Sequence, residues 1–266
     1  MHPIESAAPA LILVLFALGF AAEKLRPARA LPAAKGWRLR GGVSFVVTFA
    51  VNGLVPALLS GAAAGRTLLD LRGLGTLRGA LVALLAIDFA AYVLHRLQHR
   101  VPFLWRWTHQ MHHSAERVDV LGAAWFHPFD IALQAAVSTL VTLGLGVTPD
   151  AAALAGVTGV LLAVVQHMNV RTPAWLGLLV QRPEGHSLHH AREVHAYNFG
   201  NLSLWDIALR TWRNPPVFEP VAGFYDGASA RVGDMLLGRD VTARPPAGRD
   251  DEARGGDATL PAPRAA

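Results

Sequence analysis

The chain has 266 residues, of which 52% are apolar and only 16% charged, and its mean hydropathy is +0.32. That balance points to a membrane protein, and a net charge of +5 from scattered basic residues, with no basic stripe interleaved with aromatics, speaks for anionic lipid and against nucleic acid. The absence of Cys removes disulfides, thiolate zinc sites, iron–sulfur clusters and cysteine nucleophiles together.

Ala7 to Ala22 is an apolar run preceded by Glu5 and by no Lys or Arg. A signal peptide needs a basic leader, so this run is expected to stay as a first membrane helix. Lys24, Arg26, Arg29, Lys35, Arg38 and Arg40 follow, with Pro27 and Pro32 breaking any helix, and they mark the cytoplasmic side. A second span is expected from Val43 to Ala64, holding Asn52 and Pro56. The loop up to Arg78 is poorer in basic residues and belongs outside. A third span, Gly79 to Leu94, runs straight into His95.

Within that third span lies Asp88. An ionisable residue there costs about 2.5–3.5 kcal/mol on insertion scales and marks function. Asp88, Tyr92, His95 and His99 share one helical face, so Asp88 and Tyr92 are expected to support a histidine site from behind. The plainer alternative is that Asp88 caps or pairs elsewhere in the bundle. Trp105, Trp107, Trp205 and Trp212 read as interface anchors. His127-Pro128 opens the next span, and Phe129 to Val147 and Ala151 to Val165 form a hairpin about Thr148-Pro149-Asp150. It returns the chain to the inside at Gln166-His167-Met168-Asn169.

Three histidine clusters stand out: His95-Arg-Leu-Gln-His99, His109-Gln-Met-His112-His113 and His186-Ser-Leu-His189-His190. Eight of the twelve His sit in them, all at inner ends of helices under a topology chosen from basic residues alone. At helical spacing each cluster presents its rings together. Eight imidazoles exceed what one ion uses and suit a two-metal centre, since iron and zinc both accept neutral imidazole. There is no His-Glu-x-x-His, no Glu-x-x-His, no Gly-x-Ser-x-Gly and no phosphate-cradling glycine loop.

Asp88-Phe-Ala-Ala-Tyr92-Val-Leu-His95-Arg-Leu-Gln-His99 and Trp107-Thr-His109-Gln-Met-His112-His113-Ser114 resemble the fatty acid hydroxylase superfamily, which includes sterol desaturases. So do Glu184-Gly-His186-Ser-Leu-His189-His190 and Tyr197-Asn198-Phe199-Gly200 through Trp205-Asp206. The resemblance covers roughly Arg78 to Asp240. It implies a membrane-embedded non-haem di-iron oxidoreductase of lipid biosynthesis that uses O2 and an external reductant to hydroxylate or desaturate a lipid C–H bond. The implied metal ligands are His95, His99, His109, His112, His113, His186, His189 and His190, with His167 as the family's extra His. His127, in a His-Pro pair common in the family, and His195 are further candidates. Some members carry another His four residues before His167, where this chain has Ala163. The family's Leu-Phe-Gly-Thr after Trp-Asp is here Ile207-Ala-Leu-Arg-Thr211. Asn198 either orients a ligand His or caps a helix.

The expected fold is thus an all-α membrane protein of about four to five transmembrane helices with a histidine-rich helical cap at the cytoplasmic face of a bacterial inner membrane. Residues 1–78 supply membrane helices and loops, 79–240 the catalytic domain, and 241–266 a disordered tail. Expected partners are a lipid substrate, the bilayer and an electron-donor protein. The competing readings are a zinc hydrolase, for which Glu116, Asp119, Glu184 or Glu193 would be the base, and a non-redox metal-binding protein. A metal transporter would instead spread His through its spans.

Overall fold

Pro3–Leu25 (α1), Trp37–Ala62 (α2), Gly75–Arg100 (α3), Pro128–Leu145 (α6) and Pro149–His167 (α7) are the long helices of a computed structural model that describes residues 2–62 and 66–244. Five helices are long and apolar enough to cross a membrane among the described residues. Their outward faces expose Leu18, Val46, Leu58 and Leu81, as lipid contact allows. Between and after them lie short helices: Pro102–Leu104 (α4), Gln110–His113 (α5), Pro183–His189 (α8), Ser203–Ala208 (α9) and Val232–Leu236 (α10). No strand forms among the described residues, only the isolated bridges Val180–Leu202 and Ala191–Ala222.

Local chemistry fixes the helix ends. His127 accepts the Phe129 N–H and Pro128 takes the first turn of α6, so the helix starts where its own N–H groups need a partner. Gly146 ends it at φ 62, the left-handed conformation suited to glycine, and a Cβ there would strike the Leu69 carbonyl. Thr148 caps α7 by accepting the Ala151 N–H. Asp150 then accepts from Ile4 at 3.0 Å and Glu5 at 3.1 Å, tying the start of α1 to the start of α7. At the opposite end Glu23 accepts from Val120 at 3.0 Å and Asn169 at 2.7 Å. The C-termini of α1, α3 and α7 and the N-termini of α2 and α6 therefore share one end of the bundle, where the short helices gather.

The second span begins earlier than its hydropathy suggests. The Trp37 indole donates to Asp119 at 3.0 Å and packs on Trp125, so the helix takes in Arg38 and Arg40. Its expected last residues, 63–64, lie outside the described residues. Trp37, Trp125, Met111, Ala115, Met235 and Val241 form the core of the cap. Val241, placed at the head of the expected tail, is fully buried and donates its N–H to Gln110. Residues 245–266 of that tail lie outside the described residues.

Candidate metal centre

The histidines sort into two groups. His95, His99, His109, His113 and His189 form one, and His112, His167, His186 and His190 the other, each with ligand nitrogens within 4.8 Å of one another. Helix geometry explains the sorting. At about 100° per residue, the last His of a His-x-x-His-His run lies about 40° to one side of the first and the middle one about 60° to the other, so the last two face apart and the first goes with the nearer, the last. Box two sends His109 and His113 to the first group and His112 to the second; box three sends His186 and His190 to the second and His189 to the first. The two boxes are laced across each other. Box two begins in a wide π turn, Trp105–His109, which leads into α5.

The ring nitrogens on the far side are held. His95 Nδ1 faces the Phe199 carbonyl at 2.7 Å, His189 Nδ1 the Tyr197 carbonyl at 2.7 Å, and His109 Nδ1 the Asp130 carboxylate at 2.8 Å. His112 Nδ1 faces the Trp125 carbonyl at 3.1 Å and His167 Nδ1 the Ala163 carbonyl at 2.7 Å. A carbonyl or carboxylate partner puts the proton on Nδ1 and leaves Nε2 a bare acceptor. The Nε2 atoms of His95, His99, His109, His113 and His189 are all buried and meet no protein donor. His112 and His167 bring two such acceptors to 3.3 Å, and His186 Nε2 sits 3.0 Å from His167 Nε2. Ring nitrogens converge there with no donor but the imidazoles themselves among the described residues, which fits a cation at each group.

Electrostatics agree. Burial first, and neighbouring imidazoles second, hold His112, His113, His186, His189 and His190 well below the usual histidine range. They are neutral at pH 7, the form that binds metal. His195 is lowered to about 4, by burial and then by His109.

Nine of the eleven histidines anticipated as ligands fall into the two groups. His127 and His195 stand outside both. His127 spends Nδ1 on the Phe129 N–H, and His195 Nδ1 lies 3.0 Å from His113 Nδ1. Ala163, where a further His was weighed, contributes its carbonyl to His167 instead.

Asp88, Tyr92 and Asn198 do not hydrogen-bond a box histidine. Both Asp88 oxygens are taken by backbone N–H groups, Asn201 at 2.9 Å and Leu202 at 3.1 Å. Tyr92 bonds Thr211 at 2.9 Å and accepts from Arg96. Asn198 donates to the Gly185 carbonyl and accepts the Arg213 N–H. With Asp206, which accepts from Phe199 and Gly200, they brace the turn whose carbonyls orient His95 and His189. Thr211, despite the altered sequence before it, donates to Asp206 at 2.7 Å. Trp105 is not only an interface residue: its ring lies 5.2 Å from His99 and 5.3 Å from His113.

The carboxylate that does reach a histidine of the two groups is Asp130. It is fully buried in α6 and also accepts from Gln98 at 2.8 Å and Gln134 at 2.7 Å. Its signal in the sequence was the one that drew notice to Asp88: an acid inside an apolar span.

Residues 80–211 match the family model described as fatty acid hydroxylase. That segment, just under half of the chain, belongs to the fatty acid hydroxylase family. The ornithine lipid hydroxylase OlsE of Rhizobium tropici is 32% identical over 140 residues, covering 51% of this chain and 42% of that protein. The very-long-chain aldehyde decarbonylase GL1-9 of Oryza sativa subsp. indica is 31% identical over 139 residues, covering 49% of this chain and 53% of that protein. The subsp. japonica protein gives the same figures. The matches to these curated relatives thus span about half of their length or less. No solved structure matches the chain. Both histidine groups fall within the fatty acid hydroxylase segment.

Proposed function

We propose that the chain is an O2-dependent lipid hydroxylase that holds two iron ions, one in each histidine group. The observation that carries this reading is the convergence of nine imidazoles, seven of them fully buried, into two sets of ring nitrogens, within a family segment shared with an ornithine lipid hydroxylase. When bound, the iron pair supplies the oxidising power to put one oxygen atom of O2 into a C–H bond, with two electrons and two protons carrying the other atom off as water. The ligands are His95, His99, His109, His113 and His189 for one ion and His112, His167, His186 and His190 for the other. Carbonyls 163, 125, 197 and 199 and the Asp130 carboxylate fix the rings, so the site reorganises little. Phe126 stacks flat on His112 at 4.2 Å, and Phe199 sets its edge against His95, His99 and His189. These rings keep water from the reacting centre.

The site lies at the end of the bundle that carries Lys24 through Arg40, so a bacterial inner-membrane placement puts it on the cytoplasmic side. Lipid then enters from the bilayer, and an electron-donor protein docks from the cytoplasm. Hydroxylation is preferred to desaturation because the family and the Rhizobium relative are both named for it.

The hydrolase reading is less favoured, because none of its four candidate bases hydrogen-bonds a histidine of either group. Glu116 accepts from Gly227 and Ser229, Glu184 from Thr172, and Asp119 from Trp37, while Glu193 is exposed. The test is metal content and Mössbauer spectroscopy on protein from iron-57-grown cells, beside His112→Ala, followed by mass spectrometry of lipid extracts for a gain of one oxygen. Two irons, diminished in the variant, and an oxygenated lipid are expected. Zinc alone would overturn the reading.

A further inference from the structure

The two histidine groups differ in how firmly their rings are anchored. In the five-histidine group four of the five Nδ1 atoms have a protein partner: Phe199 and Tyr197 carbonyls, the Asp130 carboxylate, and His195 behind His113. In the four-histidine group only His112 and His167 are anchored, both by neutral carbonyls. His186 Nδ1 and His190 Nδ1 are buried and meet no protein acceptor. Their Nε2 atoms instead lie 3.1 Å apart, and His186 Nε2 faces His167 Nε2 at 3.0 Å. His167 Nε2 is an acceptor, so in the metal-free site His186 donates to it through Nε2–H.

Metal binding at the four-histidine group must move that proton to Nδ1, where the protein offers no acceptor. No such change is asked of His95, His109 or His189. The negative charge of Asp130 lies against the five-histidine group alone. Its other lone pairs are fixed by Gln98 and Gln134, and Gln98 is itself held by Thr108 at 3.0 Å. The carboxylate therefore fixes the His109 ring and would partly neutralise an ion bound beside it.

We propose that the two metal positions are inequivalent and fill in order, the five-histidine position first, with Asp130 as the positioning residue that gives it the higher affinity. This rests on the two-ion reading above.

The test is a cobalt(II) titration of chelator-stripped, detergent-solubilised full-length protein, followed by d–d absorption. Two phases are expected, differing at least tenfold in affinity. His99→Ala should remove the tight phase and keep the weak one; His167→Ala should do the reverse. Asp130→Asn should weaken the tight phase by about 10–100-fold while the weak phase stays. Asp130→Glu should recover part of the loss. A role confined to folding would weaken both phases together. Two indistinguishable phases, or loss of the tight phase in His167→Ala, would overturn the ordering while leaving two-ion binding intact. Binding of fewer than two cobalt ions by the parent protein would overturn the two-ion reading itself, and the ordering with it.

Discussion

Asp88 on α3 holds the backbone of Asn201 across 113 positions of sequence, with its carboxylate 2.9 Å from that N–H. The same carboxylate holds Leu202, and the turn so fixed presents the Phe199 carbonyl to His95. Asp88→Ala strands two partly buried N–H groups, each at a cost of up to roughly 1–3 kcal/mol. The variant is expected to unfold at lower denaturant and to retain less metal, although no ligand has changed. A denaturant series with parallel metal analysis checks it; an unchanged midpoint would refute it.

Tyr92 acts more weakly. Its hydroxyl joins Thr211 and Arg96 but reaches no ligand. Tyr92→Phe is expected to cost about 0.5–1.5 kcal/mol and to leave metal content at the parent level. Loss of metal in this variant would mean the hydroxyl does more than brace the turn.

Arg182 and Glu184 form an ion pair at 3.0 Å with both side chains out of solvent, one turn before His186. Glu184 also accepts from Thr172, and Arg182 donates to Asn214. Removing one partner of a buried pair strands the other charge, so Glu184→Ala should destabilise by about 3–5 kcal/mol. Glu184→Gln, which keeps part of the hydrogen bonding, should fall between. Thermal unfolding of the three proteins in detergent decides the order.

Metal-free protein is expected to be acid-labile. His112, His113, His186, His189 and His190 have native pKa values well below the usual one, and that of His195 is about 4. Between the native value and the unfolded value near 6.5 the unfolded chain binds more protons, so stability rises with pH in that window. Nothing is lost above about pH 6.5; the loss accumulates as pH falls through 6.5 toward 4. Urea midpoints of stripped protein at several pH values should be flat in the upper range and fall below it.

Restoring metal should reverse much of this. An ion that binds only the folded chain stabilises it by about 4 kcal/mol when present at a thousand times its dissociation constant. Stripped protein should therefore melt lower than the same sample reloaded, and addition of a chelator to the reloaded sample should bring the melting point back down.

Much of the architecture was legible because its signals are local. The five long helices follow from apolar runs, and the corner at Thr148-Pro149 from a cap and a proline. Which histidines turn together follows from the angle per residue of a helix. What escaped was pairing between distant segments. Asp88 and Asp130 are both acids in apolar spans, and nothing in the sequence says that one meets a backbone turn and the other a histidine ring. Trp37 extends α2 beyond its apolar stretch because Asp119 waits for its indole. Val241, in a stretch that composition assigns to a tail, is buried because Gln110 and Met111 lie beneath it.

The lacing of the boxes bears on biosynthesis. Each histidine group draws ligands from the second box and from the third, and His186, His189 and His190 lie beyond the last long helix. A nascent chain with all five spans inserted still lacks a complete set at either position. Under the proposed function, metal capture belongs to the end of synthesis, and a chain stopped before Pro183 would enter the bilayer yet close neither site.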